Sequence, residues 1–314
     1  MVKTPSVSVV VPVYNEEGCL TELHARLEAV FKSAQVPYEL IFVDDGSTDS
    51  SLDAIKSISG ADERCRYVSF TRNFGHEAAS TAGLQRAQGD AVVLMDADLQ
   101  DPPELIPTLI QKWREGYEVV YVRRGKRRGE SLFKRLSAWV FYRMLNVLSE
   151  VKIPSDVGDF RLMDRKVVEA FRNLPETNRF VRGMIAWLGY RETGVDCDRP
   201  QRKRGRTKYD PFKLTYLAFD AVVSFSTSLL RLSTLTGFLV GLASLVIVVV
   251  IIVQKLFFGI PIQGYALVAS GLFLLGGLIL LYLGLLGEYV AKVYRQSQAR
   301  PLYIVKEEIG ETSL

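Results

Sequence analysis

The chain has 314 residues, 48% of them hydrophobic, with 39 basic side chains against 35 acidic ones and a net charge of +4. So even a balance carries no electrostatic footprint for nucleic acid, and no nucleic-acid partner is expected. Three cysteines (Cys19, Cys65, Cys197) without CxxC spacing, and only two histidines, indicate neither a disulfide framework nor a zinc site; reduced cytosolic thiols are expected.

The first apolar run, Val7–Val13, is too short and follows too little positive charge for a secretory signal, so the N-terminal domain is expected in the cytosol. Val7–Val11, Leu40–Val43, Tyr67–Phe70 and Ala91–Met95 read as buried strands, with helices near Cys19–Lys32, Ser50–Ser59 and Glu77–Ala87 between them. Strand and helix alternating in this way imply an α/β domain with a mostly parallel sheet covered on both faces. Ligands of such sheets bind beyond the carboxyl ends of the strands. The polar clusters fall there: Tyr14-Asn15-Glu16-Glu17 after the first strand, Asp44-Asp45-Gly46-Ser47 after the second, Arg72-Asn73 after the third and Asp96-Ala97-Asp98 after the fourth. Alternate residues of a strand share a face, so Asp96 and Asp98 offer two carboxylates on one side, a donor pair that suits a hard divalent cation. A solvated pair at a strand end has the same appearance. His76, opening a helix after Gly75, reads as structural.

Basic residues crowd into two later stretches. Arg123, Arg124, Lys126, Arg127 and Arg128 precede Ser131–Leu148, where Phe133, Leu136, Val140, Met144 and Val147 recur near helical spacing with Lys134, Arg135 and Arg143 between them. That pattern suits a helix lying on an anionic lipid surface. The second stretch, Arg202 to Tyr209, leads into a similar element at Pro211–Leu230. Residues 232–254 then contain 23 uncharged positions, about 35 Å of helix at ~1.5 Å per residue, against a bilayer core of ~30 Å. A second uncharged stretch runs from Leu256 to Gly287, and Gly259 and Pro261 mark a turn between the two. Arg231 before, and Lys292, Arg295 and Arg300 after, against only Lys255 between them, put both ends on the cytosolic side.

The motifs Pro12-Val13-Tyr14-Asn15-Glu16-Glu17, Val43-Asp44-Asp45-Gly46-Ser47-Thr48-Asp49 and Asp96-Ala97-Asp98-Leu99-Gln100-Asp101-Pro102-Pro103-Glu104 resemble the successive signatures of family 2 glycosyltransferases. Arg72-Asn73-Phe74-Gly75 and Gly158-Asp159-Phe160-Arg161-Leu162 are similar to that family too, so the likeness covers roughly residues 6–165. The apolar spans and Arg300-Pro301-Leu302-Tyr303-Ile304-Val305 resemble its polyprenyl-phosphate branch, the bactoprenol glucosyltransferases and dolichyl-phosphate mannose synthases.

The resemblance implies a GT-A-type nucleotide-binding domain over 1–210, with an amphipathic helix near 130–148. An interfacial helix at 211–230, a two-helix transmembrane hairpin at 231–292 and a cytosolic tail at 293–314, with a short strand near 302–306, would follow. Pro12, Tyr14, Glu16, Asp44, Asp45 and Arg72 would hold the nucleoside of a nucleotide-sugar, a UDP-hexose. Asp96 would face ribose or metal, and Asp98 with Gln100 would meet Mg²⁺ or Mn²⁺ and the diphosphate. Asp156 or Asp159 would sit beside the sugar, where relatives carry a base. Arg202, Arg204 and Lys208 match a loop that closes over phosphates, and Arg124, Arg128 and Arg135 are candidates for the acceptor phosphate. The implied activity is inverting transfer of a hexose, glucose as the modal choice, to a polyprenyl phosphate such as undecaprenyl phosphate at the cytosolic face of the plasma membrane; homo-oligomerisation stays open. The competing readings are a processive polysaccharide synthase, for which two spans are too few, a glycolipid synthase with a hydroxyl acceptor, and a non-catalytic scaffold, which would have no need of the Asp96/Asp98 carboxylates.

Overall fold

The structure, a computed structural model, describes residues 6–124, 157–177, 179–197, 228–258 and 264–309. The expectations for the 131–148 helix, for Asp156, Arg128, Arg135, Arg202, Arg204 and Lys208, for most of 211–230 and for the Gly259/Pro261 turn therefore lie outside the described residues.

The valine-rich run Val7–Val13 forms β1, followed by α1 (Leu20–Ala34), β2 (Tyr38–Asp44), α2 (Ser51–Ala61), β3 (Cys65–Phe70), α3 (His76–Arg86) and β4 (Ala91–Leu94). A 3-10 turn at Pro103–Leu105 leads into α4 (Ile106–Arg114), and β5 (Val119–Arg124), β6 (Val157–Asp164), α5 (Arg165–Arg172), α6 (Val181–Trp187) and β7 (Glu192–Cys197) complete the set before the long helices. The eight-stranded sheet has the order β7-β5-β6-β4-β1-β2-β3-β8, where β8 is Val305–Ile309 near the C-terminus. Pairing is parallel through β4-β1-β2-β3 and again between β5 and β7. It is antiparallel at β4–β6, β5–β6 and β3–β8, so the expected parallel sheet is the central block of a mixed one.

Period-two alternation sorts the core. Val7, Val9, Val11 and Val13 face one side with α1, α2 and α4, while Val10 faces the other with α3, α5 and α6. Both faces are covered, as a parallel sheet requires. Helix α3 approaches the sheet closely because its buried face is built from Ala78, Ala79, Ala82 and Gly83. A Cβ on Gly83 would stand 2.2 Å from Val10 Cγ1.

The chain divides into two compact units. One gathers the sheet, its helices and β8. The other holds α7 (Ser228–Phe258) and α8 (Tyr265–Ser297), of 31 and 33 residues. Their apolar side chains, among them Phe238, Leu245, Leu272 and Leu280, are exposed, the condition of a surface meant for lipid or a partner. Among the described residues one stretch, Leu274–Ser297, is long and apolar enough to cross a membrane, and a shorter apolar stretch, Ser233–Ile247, lies in α7. The C-terminal strand falls at 305–309 rather than 302–306, and α8 continues to Ser297, five residues past the expected boundary.

Gly83→Ala is expected to lower stability by roughly 1–3 kcal/mol, because a buried methyl group there overpacks the helix–sheet contact. Thermal unfolding checks this, and an unchanged melting temperature would show that the close approach of α3 is not tight.

Candidate active site

The parallel block aligns the carboxyl ends of β1, β2, β3 and β4 along one edge of the sheet, and the loops leaving them are laced together. The loop after β1 takes a left-handed turn at Asn15 (φ 57°), a conformation that asparagine tolerates. Asn15 N–H donates to Ser47 Oγ (3.0 Å), and Asn15 Oδ1 accepts from Thr48 N–H (2.8 Å). Glu16 N–H donates to Ser51 Oγ (2.9 Å), and Glu17 accepts from Ser50 N–H (3.0 Å).

Asp44 and Asp45 are buried, at 1% and 2% exposure, and their oxygens are committed to backbone and hydroxyl donors. Asp44 accepts from Ser47 N–H (3.1 Å) and Ser69 Oγ (2.8 Å). Asp45 accepts from Phe74 N–H (2.6 Å) and Gly75 N–H (2.9 Å), tying the loop after β3 to the end of β2. Burial pushes the Asp45 carboxyl up, and those two backbone donors work against it. Gly46 (φ +66°) lies directly under that loop, where a Cβ would stand 2.4 Å from the Arg72 carbonyl carbon. Of the expected nucleoside-facing residues, Pro12 is buried inside β1, whereas Tyr14 is 43% exposed and Arg72 exposed with its guanidinium 3.9 Å from the Phe74 ring centroid.

The fourth strand stops at Leu94, so Asp96 and Asp98 stand in the bend beyond it, which Leu99 closes with φ +59°. The strand alternation that would have set both carboxylates on one side does not reach them. Asp98 accepts from Gln100 N–H (3.0 Å). Asp96 turns toward a cluster on other elements. The β4–β6 ladder ends on the pair Leu94–Arg161, and Asp96 and Asp159, each two residues from that pair, offer with His76 side-chain atoms within 4.8 Å of one another. His76 Nε2 is 3.4 Å from Asp159 Oδ2 and 3.8 Å from Asp96 Oδ1. Arg182 of α6 clamps Asp159 with both fork nitrogens, Nε to Oδ1 at 2.6 Å and Nη2 to Oδ2 at 2.8 Å. Behind them Arg161 is buried, donating to the carbonyls of Gly158 (3.0 Å) and Asp159 (3.4 Å). Glu77 accepts from Val181 N–H (2.8 Å) and so fixes the start of α6 against α3.

The electrostatics follow from this packing. Burial, then the neighbouring carboxylates of Asp159, Asp101 and Asp98, push Asp96 up to about 6 against the pull of His76. Asp159 moves the other way: burial would raise it, but the His76 contact and the Arg182 guanidinium outweigh that and hold it well below the usual carboxylate range. Burial works to lower His76, yet its contacts with Asp159 and Asp96 take it up to about 9. Burial brings Arg161 down to about 10.

Of the expected site residues the structure brings Asp96 and Asp159 together, beside His76, which the sequence presents as structural, and Arg182, which the sequence analysis does not single out. The available signal for Arg182 was a lone arginine on the apolar face of Val181–Trp187, a position that demands a buried anion. Arg124 ends β5.

Fold and cluster together are those of an α/β enzyme that takes its ligand at the carboxyl ends of its strands. The profile of glycosyl transferase family 2 matches residues 8–172, and the chain belongs to that family; it is a glycosyltransferase. It is 45% identical over 303 residues to an uncharacterized glycosyltransferase of Bacillus subtilis, covering 96% of this chain and 94% of that one. It is 40% identical over 302 residues to the bactoprenol glucosyl transferase of Shigella phage SfV, covering 96% of this chain and 98% of the other. Among solved structures it is similar to glucosyl-3-phosphoglycerate synthase from Mycobacterium tuberculosis, at 20% identity and TM-score 0.46 over 70% of this chain and 78% of that one.

Arg182→Ala removes the cation from a carboxylate that is 8% exposed. Breaking a buried pair in this way is expected to cost roughly 3–5 kcal/mol, with Arg182→Lys recovering part of it. Chemical denaturation of the two variants measures the difference, and equal stability to wild type would show that the Asp159 charge is balanced by other groups.

Proposed function

We propose that this glycosyltransferase moves a hexose, glucose from UDP-glucose as the best choice, onto a polyprenyl phosphate such as undecaprenyl phosphate at the cytosolic membrane face. The observation that carries this reading is the 40% identity to a bactoprenol glucosyl transferase over 96% of this chain, well beyond the family core at 8–172.

In the proposed reaction an oxygen of the lipid phosphate attacks the anomeric carbon in line. The new C–O bond forms as the bond from that carbon to the diphosphate breaks, UDP carries away the electron pair, and a UDP-α-sugar gives a β-linked product. A phosphomonoester has a second pKa near ~6 and is largely dianionic at neutral pH, so the nucleophile needs placing more than deprotonation. The environment of Asp159 supports the same view. A carboxylate clamped by Arg182 and held so far below its ordinary range is too weak a base to compete for a proton. Its proposed role is to orient, with Asp156 the other candidate for the sugar's surroundings.

Asp96 and Asp98 leave a single bend as two oxygen donors, a set that fits a hard divalent cation such as Mg²⁺ or Mn²⁺. Asp159, saturated by Arg182, fits that part less well. When bound, such an ion would neutralise charge on the departing diphosphate. Tyr14, Glu16, Arg72 and Gln100 are proposed to meet the donor, with Asp44 and Asp45, through the loops they hold, and Pro12 shaping its pocket. Arg124, Arg128, Arg135, Arg202, Arg204 and Lys208 are proposed for the acceptor phosphate.

The test is transfer by the full chain in lipid vesicles supplied with UDP-glucose and either undecaprenyl phosphate or undecaprenol. Transfer is expected with the phosphate alone, lost on chelation of divalent ions and lost in Asp98→Ala, with the fold of that variant intact by circular dichroism. Comparable rates with the alcohol would refute the phosphate nucleophile and return Asp156 or Asp159 to the part of general base.

α7 and α8 are proposed to form a two-span hairpin with both chain ends cytosolic, a reading supported by their lengths and by the flanking basic residues. In sealed vesicles of known orientation, a cysteine at Phe258 is expected to react only with reagent on the far side, and one at Ser6 only on the cytosolic side. Labelling of both from the same side would rule the hairpin out.

A further inference from the structure

The C-terminal segment returns to the sheet and finishes beside the loop that carries Arg72. β8 adds to β3 in antiparallel register, Tyr67 against Ile309 and Ser69 against Glu307, with a bulge between Ser69 and Phe70. Past the bulge Thr71 N–H donates to Ile304 O (3.0 Å), so the first residue of the Arg72 loop is bonded to the tail. The side chains continue the contact. The Tyr303 ring stacks on Phe70 (centroids 4.7 Å, interplanar 13°), Phe70 meets the edge of Phe74 (5.8 Å, 89°), and Phe74 lies under the Arg72 guanidinium. Tyr303 is itself pinned from α3: its hydroxyl donates to Gln85 Oε1 (2.5 Å) and accepts from Arg86 Nη1 (3.0 Å). Ion pairs fix the rest of the strand, Arg86 to Glu308 (2.7 Å) and Lys56 to Glu307 (2.7 Å).

We infer that Tyr303 is a positioning residue for the nucleotide-sugar site, acting through Phe70 and Phe74 to hold Arg72 and the Thr71–Gly75 loop in the donor-binding arrangement. The inference rests on the proposed donor role of Arg72. Its physical content is that an exposed loop has two anchors, Asp45 on one side and the tail on the other. Without the tail the Phe74 ring loses the packed partner that fixes its plane, and the guanidinium above it loses its platform. Ordering that loop would then fall to the donor, and the binding free energy spent on ordering appears as weaker donor affinity. Acceptor affinity and the rate at saturating donor are unaffected, because among the described residues the tail makes no hydrogen bond or ion pair with the Asp96–His76–Asp159 cluster or Arg182.

The experiment compares the full-length protein in vesicles with Tyr303→Ala, Tyr303→Phe, Glu307→Gln, Arg72→Ala and the Tyr303→Ala/Arg72→Ala pair. The readouts are the donor KM, the acceptor KM, kcat, the UDP dissociation constant and the melting temperature. Tyr303→Ala is expected to raise the donor KM and the UDP dissociation constant about tenfold with kcat and acceptor KM near wild type. Tyr303→Phe keeps the stacked ring and is expected to restore most of the affinity. Glu307→Gln removes the Lys56 ion pair and leaves Arg86 and the ring stack in place, so it is expected to lower the melting temperature and leave donor KM unchanged. In the double variant the effect of Tyr303→Ala is expected to vanish, as it does when one residue acts through another. A donor KM that follows the melting temperature across Tyr303→Phe and Glu307→Gln alike would overturn the inference and leave the tail a plain stabilising strand. So would additive effects of Tyr303→Ala and Arg72→Ala. If Arg72→Ala leaves UDP binding untouched, the donor role of Arg72 fails at its source and the inference falls with it, a result told apart from the others by that single variant.

Discussion

Two carboxylates, Asp96 and Asp159, are carried to one point by the antiparallel register of β6 beside β4, and the surrounding architecture is organised by the need to keep both there. Like charges this close disfavour each other's ionisation, and burial adds to the penalty. The fold answers with cations from two directions. His76 arrives because α3 follows β3 and starts at that edge of the sheet, and Arg182 arrives because α6 packs against α3, with Glu77 holding its first N–H. The compensation is unequal. Asp159 receives a bidentate guanidinium and stays ionised, whereas Asp96 meets the imidazole at a longer distance and burial pushes it up to about 6. Two carboxylates of the same edge are thereby given different chemistry, one saturated by protein cations and one with capacity left for a ligand.

The edge itself depends on loops that have little regular structure of their own. Asn15, Ser47 and Asp45 join the loops after β1, β2 and β3 by side-chain-to-backbone bonds, so the polar clusters that look like ligand groups in the sequence divide into two populations. Asp44 and Asp45 spend their oxygens inside the protein, while Tyr14 and Arg72 remain exposed. An aspartate repeated at a strand end has the same letters in either role, and only burial separates them.

How much could be read in advance follows from which interactions are local. The strands β1 to β4, the helices between them and the polar strand ends were legible, since alternation and a run of valines act over a few residues. The antiparallel β6 was not, and of β8 only a short strand near 302–306 was expected without its pairing, because direction is set by partners far along the chain: Arg86 meets Glu308, 222 positions away. The contacts of His76 were not legible for the same reason. Next to Gly75 it looks like any residue at a helix start, and its significance comes from Asp159, which β6 delivers. Asp96 and Asp98 follow the fourth strand as expected, but their expected shared face needs a strand that stops at Leu94.

That division between local and distant interactions bears on how family 2 sites are assembled. The local motifs build loops, and each loop alone would be an exposed polar segment with many conformations. Rigidity comes from elements that arrive late in the sequence: β6 beside β4, α6 against α3, and β8 against β3. Each brings a group bonded to side chains on other elements, Asp159, Arg182 and Tyr303, and each ends on a loop or side chain from the first hundred residues. Order at the site is therefore a property of the closed chain, which is why the N-terminal motifs, although they carry the recognisable chemistry, depend for their geometry on residues up to Glu308.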